Sequence, residues 1–508
     1  MCTRWLRYPP VLLGLLIVAS APARALDCGA LASKDFSAVP EAPMQITGAQ
    51  AVAETADNPA YCQVVGYIAP NIGIEMRLPD AESWNGKFLM QGCGGFCGAR
   101  YAQRCDEYVT GGYACIVSDM GHQSTGLDAK WAYNNLQAEF DFGTRSTHVT
   151  AVAGKALVAA AYGRPHNYAY FTGCSTGGLQ GFFSAQRFPN DFDGIVAGAP
   201  VLHRTGAGVQ LLWSVMANLD ENNKPILKQE QLPTVHAAAI AACDADDGLK
   251  DGLIDDPREC DFDPAELLCS GEPNRDCLTQ AQVDVVRKIY QGPVNSSGEA
   301  LYTGGAMPGS ELNWIGNYVG TDDELPVYYR MMGDMFRYMS FTEDPGPDWD
   351  PRNFDFDANP DRFSAMEQLW TAVNPDLRRF QRRGGKLLAY QGWRDQSIVP
   401  LNMIDYYEVT TRTMGGLAAT REFFRLFMVP GMNHCVGGPG PDSINYLSNL
   451  EAWVERGEAP EALIGEHIED GQMKYRRPMY PYPDRARFRG GDPDDASSFR
   501  RIRGQLSQ

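Results

Sequence analysis

Between Gly86 and Pro200 the chain alternates short apolar runs, KFLMQG, YACIVSD, YAYFTG and GIVAGAP, with the helical stretches HVTAVAGKALVAAAYG and LQGFFSAQRFP. Strands separated by helices of this length are joined by crossovers, so they pair in parallel and need helices over both faces. The same pattern returns in GGKLLAYQG near Leu387 and FFRLFMVPGM near Phe427. From about 201 to 380 it is lost, and Asp, Asn, Pro, Gly and Cys become frequent. Because the core pattern resumes afterwards, the middle segment reads as an insertion into an α/β core rather than as a downstream domain. At 508 residues the chain is long enough for such a core with a sizeable insertion.

One of the strand-to-helix junctions carries chemistry. Gly173-Cys174-Ser175-Thr176-Gly177 fits G-x-S-x-G, with the strand YAYFTG before it and the helix TGGLQGFFSAQRF after it. The glycines of this motif let the chain turn sharply from strand to helix and lift the serine hydroxyl above the sheet. A serine in that place needs a base, and the base needs an orienting acid; in an α/β-hydrolase core these follow in the order Ser, Asp or Glu, His. His434 comes directly after the apolar run RLFMVPG, where the base is expected, whereas His467 lies in a polar stretch read as helical. Asp395 stands just past the strand KLLAYQG, and its rival Asp405 falls within the helical pattern NMIDYYEVT. The expected set is therefore Ser175, Asp395 and His434 on an α/β-hydrolase core with a large inserted lid. One oxyanion donor is expected from Thr176, the residue after the nucleophile. The other should come from an early glycine-rich loop, for which QGCGGFCG after KFLM qualifies.

The first 25 residues combine Arg4 and Arg7 with an apolar run from Val11 to Ala19 and the small-x-small site Ala23-Arg24-Ala25, the marks of a secretory signal. That run is too short to span a bilayer, so a secreted or periplasmic protein is expected, with no membrane partner. Cys28 follows Asp27 rather than a small residue, which argues against a lipid anchor. With Cys2 removed, twelve of the 13 cysteines remain, an even number suited to disulfides in an oxidising compartment. No zinc-like spacing competes with this. A net charge of -19 excludes nucleic acid as a natural partner. Cys174 precedes the expected nucleophile and Cys435 follows the expected base. If Ser175 and His434 meet, these two Cα atoms fall within the roughly 4.4 to 6.8 Å that a disulfide needs.

The motifs GCSTGG, GWRDQSIVP and VPGMNHCVGGPG together resemble the three signatures of the tannase and feruloyl esterase family, over about residues 28 to 499. The resemblance implies Ser175 as nucleophile, Asp395 as acid, His434 as base, a Cys174–Cys435 bridge and Gly95 as the second oxyanion donor. It also implies bridges Cys28–Cys62, Cys243–Cys260 and Cys269–Cys277, and leaves three pairings open for Cys93, Cys97, Cys105 and Cys115. The acidic stretch DADDGLKDGLIDDP, between Cys243 and Cys260, crowds carboxylates that a hard cation would neutralise. By resemblance it is a structural Ca2+ loop in the lid, with Asp244, Asp247 and Asp251 as side-chain ligands and Leu249 and Leu253 as carbonyl ligands. Tyr480 and Arg501 stand where some relatives carry a last disulfide.

The implied organisation is a signal over 1–25, core over 26–200 and 381–508, and lid over 201–380. The implied activity is hydrolysis of esters of aromatic acids, small or linked to polysaccharide, with feruloyl esters ahead of galloyl esters. Lid aromatics Trp314, Tyr318, Tyr328 and Tyr329 are candidates for stacking on the acyl ring, although the ordinary fate of any single one is the core of the lid. No Lys or Arg occurs from Ile289 to Tyr329, which disfavours terephthalate monoesters, with Arg330 and Arg394 as the remaining candidates for a carboxylate clamp. A non-catalytic binding protein on the same scaffold is the alternative from another class. Oligomeric state is not legible in the sequence.

Overall fold

The computed structural model describes residues 26–56 and 58–506; the signal segment expected over 1–25 lies outside them. A sheet of nine strands forms the centre, in the order β1-β2-β3-β5-β4-β6-β7-β8-β9. Six of these strands match the apolar runs of the sequence: β4 (Lys87–Gln91), β5 (Ala114–Ser118), β6 (Tyr168–Cys174), β7 (Gly194–Gly198), β8 (Lys386–Gly392) and β9 (Phe424–Val429). They pair in parallel throughout, and β5 and β7 are buried along their full length. Burial on both faces is what makes such strands read as unbroken apolar runs. Helices Ser146–Tyr162 and Thr176–Arg187 are two of the crossovers.

The sheet extends further than the βα pattern implies. β1 (Met44–Val52), β2 (Tyr61–Ile68) and β3 (Ile72–Pro79) form an antiparallel meander that joins the parallel part through β3 and β5. Part of each of these strands stays accessible, β1 most of all, so they lack the continuous apolar signature. Cys28–Cys62 fastens the N-terminal turn of helix to β2.

Residues 199–385, between β7 and β8, contribute no strand to the sheet among the described residues. They build a separate apolar cluster around Trp314, Phe336, Phe363 and Trp370, which also takes in Phe96 and Met120 from loops of the core and Phe142 from the helical turn Asp141–Arg145. The insertion is thus seated on the loops at one edge of the sheet. After β9 the chain ends in two small antiparallel hairpins, Leu463–Glu469 with Gln472–Met479 and Arg485–Phe488 with Phe499–Ile502. His467 lies on the first of these strands and its Nδ1 contacts the Gly440 carbonyl. The helical reading of this stretch is corrected: the turn end of the hairpin is exposed on both faces, so its residues lack the apolar/polar alternation that marks a half-buried strand.

Candidate active site

Sheet topology brings the expected residues together. β5 lies on one side of β4 and β6 on the other, so successive connections leave β4 in opposite directions and open a crevice at the carboxyl ends of the strands. The loop after β4 carries Gly95, and Gln91 at the end of β4 is opposite Thr172 of β6. The loops after β8 and β9, a parallel pair, carry Asp395 and His434.

Ser175 sits between β6 and the helix Thr176–Arg187 with φ 62° and ψ -119°, a strained conformation for a side chain with a Cβ. Its N–H donates to the Gly198 carbonyl at 2.9 Å, which fixes the turn to β7. Gly173 is required by close approach, since a Cβ there would lie 2.7 Å from the backbone of Gly177. Thr176 opens the helix, so its N–H belongs to the first-turn donors that have no intrahelical acceptor. Gly95 has φ +58°, and a Cβ on it would meet the Gly126 carbonyl at 2.3 Å. The Thr176 hydroxyl donates to the Gly95 carbonyl at 2.6 Å, joining the two loops.

Asp395 is fully buried, at 1% exposure. Its Oδ1 accepts the N–H groups of Ser397 and Ile398 at 2.8 and 2.9 Å, and its Oδ2 accepts from Gln391 Nε2 and His434 Nδ1, both at 2.8 Å. A carboxylate can only accept here, so the imidazole proton sits on Nδ1 and Nε2 is left with a free lone pair. Asp405 lies on the helix Pro400–Thr413 and makes no contact with His434 among the described residues. Cys174 and Cys435 are bonded, with Cα atoms 5.9 Å apart across 261 residues of sequence.

Ser175, His434, Gly95 and Thr176 all line one cavity of about 260 Å³. Its far wall comes from the insertion: Tyr328, Met331, Met332 and Met335 on the helix Val327–Tyr338, and Arg204 and Leu211 on the helix Arg204–Ala217. Of the four aromatics considered from sequence, only Tyr328 reaches the cavity. Trp314 and Tyr318 are buried within the insertion, and Tyr329 bonds Asp350. Arg330 is exposed and faces Glu324 at 3.4 Å, while Arg394 is buried away from the cavity lining. Arg204 and the methionines were missed by sequence reading; a lone cation opening an otherwise apolar helix was the available signal for Arg204. The insertion also grips the loops behind the site. Asn313 Nδ2 donates to the Arg394 carbonyl at 2.9 Å and to Asn433 Oδ1 at 2.7 Å, while the Tyr318 and Tyr328 hydroxyls bond Gln396 and Ser397.

All six disulfides join expected or open cysteines. The pairs Cys28–Cys62, Cys243–Cys260 and Cys269–Cys277 are present. The four left open resolve as Cys93–Cys97 and Cys105–Cys115, the first within the Gly95 loop.

In the acidic loop, Asp244 Oδ1 accepts the N–H groups of Asp251 and Gly252, Asp247 Oδ1 that of Leu249, and Asp251 Oδ1 that of Leu253. Asp251 Oδ2 is 2.8 Å from Arg477. Among the described residues no three acidic, His or Cys side chains are gathered closely enough to hold a metal ion as they stand. The chemistry of the donors nevertheless suits a hard cation, being carboxylate and carbonyl oxygen alone. Burial, reinforced by the neighbouring carboxylates, pushes Asp247 up to about 6 and Asp255 up to about 8. Asp255 was not among the residues expected from sequence.

The family model described as tannase and feruloyl esterase matches residues 53–502. The chain belongs to this family. An uncharacterized esterase of Xanthomonas campestris is 35% identical, covering 96% of this chain and 92% of its own. A mono(2-hydroxyethyl) terephthalate hydrolase of Piscinibacter sakaiensis is 34% identical over 89% of this chain and 86% of its own. Among solved structures, feruloyl esterase B from Aspergillus oryzae aligns with a TM-score of 0.82 at 29% identity, covering 90% of this chain and 97% of that one. As a member of the tannase and feruloyl esterase family, the protein is a carboxylic ester hydrolase.

Proposed function

We propose that this protein is an exported serine esterase that cleaves esters of hydroxycinnamic or related phenolic acids through an acyl-serine. The observation that carries the reading is the shared cavity: Ser175 and His434 open onto one apolar chamber, and His434 is held by a buried Asp395. His434 Nε2 takes the proton of the Ser175 hydroxyl as its oxygen attacks the ester carbonyl. The amides of Gly95 and Thr176 receive the oxyanion. The alcohol leaves with the proton from His434, and water then cleaves the acyl-serine by the same route. Methionine side chains supply polarisable, adaptable contacts to an aromatic ring, which supports an aromatic acyl group in the chamber formed by Met331, Met332 and Met335. The six disulfides support export.

Two measurements test this. A fluorophosphonate should label the protein at Ser175, and Ser175→Ala should abolish both labelling and hydrolysis. Folded protein that resists the reagent would be the non-catalytic binder instead. With methyl ferulate, methyl gallate and a terephthalate monoester compared side by side, methyl ferulate should give the highest kcat/KM; a preference for either of the others reassigns the acyl group.

Asp244, Asp247 and Asp251, with the carbonyls of Leu249 and Leu253, are the residues that would hold Ca2+. The ion would supply charge neutralisation within the insertion and no step of the reaction. Chelation should lower thermal stability, and restoring calcium at about a hundredfold above its Kd should return about 2.7 kcal/mol. Calorimetry with added Mg2+ as control checks this; an unfolding transition indifferent to chelator and calcium would remove the assignment.

A further inference from the structure

Arg204 is left unused by the scheme above. Its side chain is 5% exposed and lines the same cavity as Ser175 and His434, where it is the only Asp, Glu, Lys or Arg of the lining. No carboxylate is paired with it among the described residues. Its guanidinium lies 5.0 Å from the centre of the Phe142 ring, Nη2 donates to the Thr176 hydroxyl at 2.8 Å, and Nε has no partner. Burial pulls it down to about 9, so it still carries its charge at neutral pH. Burying a cation with no carboxylate beside it is unfavourable, and here the burial places the charge on the wall of the chamber that holds Ser175.

What it acts on is given by the next contact. The Thr176 hydroxyl has one hydrogen and two lone pairs. With Arg204 donating to it, that hydrogen is committed to the Gly95 carbonyl, 2.6 Å away. Gly95 stands on the loop after β4 and Thr176 opens the helix after β6, so neither segment alone fixes the separation of their amides. The chain Arg204 to Thr176 to Gly95 sets it at the amides themselves, while Cys93 N–H donating to Gln180 Oε1 at 3.1 Å ties the same two segments one turn further along. We propose that Arg204 is a positioning residue for the oxyanion hole: it orients the hydroxyl that ties Gly95 to the nucleophile turn, and its unpaired charge favours the anionic tetrahedral intermediate over the neutral ester. The proposal rests on the serine-esterase reading.

Fluorophosphonate labelling of the unsubstituted protein settles that reading first and separately. Arg204→Met, Arg204→Lys, Thr176→Val and the double variant Arg204→Met/Thr176→Val are then compared on methyl ferulate, with thermal unfolding of each. A phenylboronic acid, which forms an anionic tetrahedral adduct on an active serine, is used as inhibitor. Arg204→Met should lower kcat by about 30- to 100-fold with KM changed by less than about threefold, below the loss for a direct oxyanion donor. Its boronate affinity should fall by a similar factor, and Arg204→Lys, which keeps the charge, should recover part of it. The double variant should be little worse than Arg204→Met, because both substitutions cut one chain. Multiplying effects would deny the chain. Unchanged boronate affinity would deny the electrostatic role. A rise in KM alone, confined to a terephthalate monoester, would make Arg204 an anchor for a substrate carboxylate and overturn the proposal.

Discussion

Asparagine in place of Asp395 is expected to lower kcat by roughly 10³- to 10⁴-fold with little change in KM. The reason lies in how the four donors around the carboxylate are divided. Oδ1 faces the two fixed N–H groups of Ser397 and Ile398, so the amide oxygen of an asparagine must take that side. Its NH2 then takes the place of Oδ2, facing Gln391 Nε2 and His434 Nδ1. His434 Nδ1 is 2.8 Å from the Oδ2 position and 3.0 Å from Oδ1, so with an NH2 at the nearer position the favoured answer is to accept at Nδ1, which moves its proton to Nε2 and leaves no base for Ser175. Fluorophosphonate labelling should slow in parallel, while thermal stability stays close to that of the parent. Asp405→Asn is the comparison, since Asp405 is the other carboxylate favoured by chain order. Should Asp395→Asn keep more than about a tenth of the activity while Asp405→Asn loses it, the acid has been misassigned.

Removing the Cys174–Cys435 bridge by the double substitution to alanine should cost about 2–5 kcal/mol of stability and about 10²-fold in kcat. The other five bridges span between 4 and 34 residues, and this one spans 261. It joins the residue before Ser175 to the residue after His434, so losing it frees the nucleophile and base loops to drift apart by the ångström or so that nucleophilic attack cannot tolerate. Alanine at both Cys269 and Cys277, eight residues apart in the insertion, should leave kcat within about twofold. Denaturation curves and steady-state rates for the two double variants check the contrast. Equal kinetic losses would mean that disulfides act here through general stability alone.

The residues at strand ends were legible because the sequence marks both the strand and its end. Ser175, Asp395 and His434 each follow an apolar run closed by glycine or proline, and parallel strands must deliver such loops to one edge of the sheet. Residues placed by the insertion were not legible. Asn313, Met331 and Arg204 come from three separate segments of a region without a regular period, and only its packing against the core selects them. Aromatic content could not single out Tyr328 for the same reason. Trp314 and Tyr318 are large enough to fill the interior of the insertion, and that burial outweighs any place in the cavity wall. The pairing of the four cysteines near Gly95 depended on loop conformation, which spacing does not encode.

Asn313 reaches both the carbonyl of Arg394 and the side chain of Asn433, the neighbours of the acid and of the base. Roof and trigger are therefore one mechanical part. Swinging the roof aside would break both ties and loosen the acid and base loops together, so the insertion and the catalytic loops are expected to keep their places as a unit.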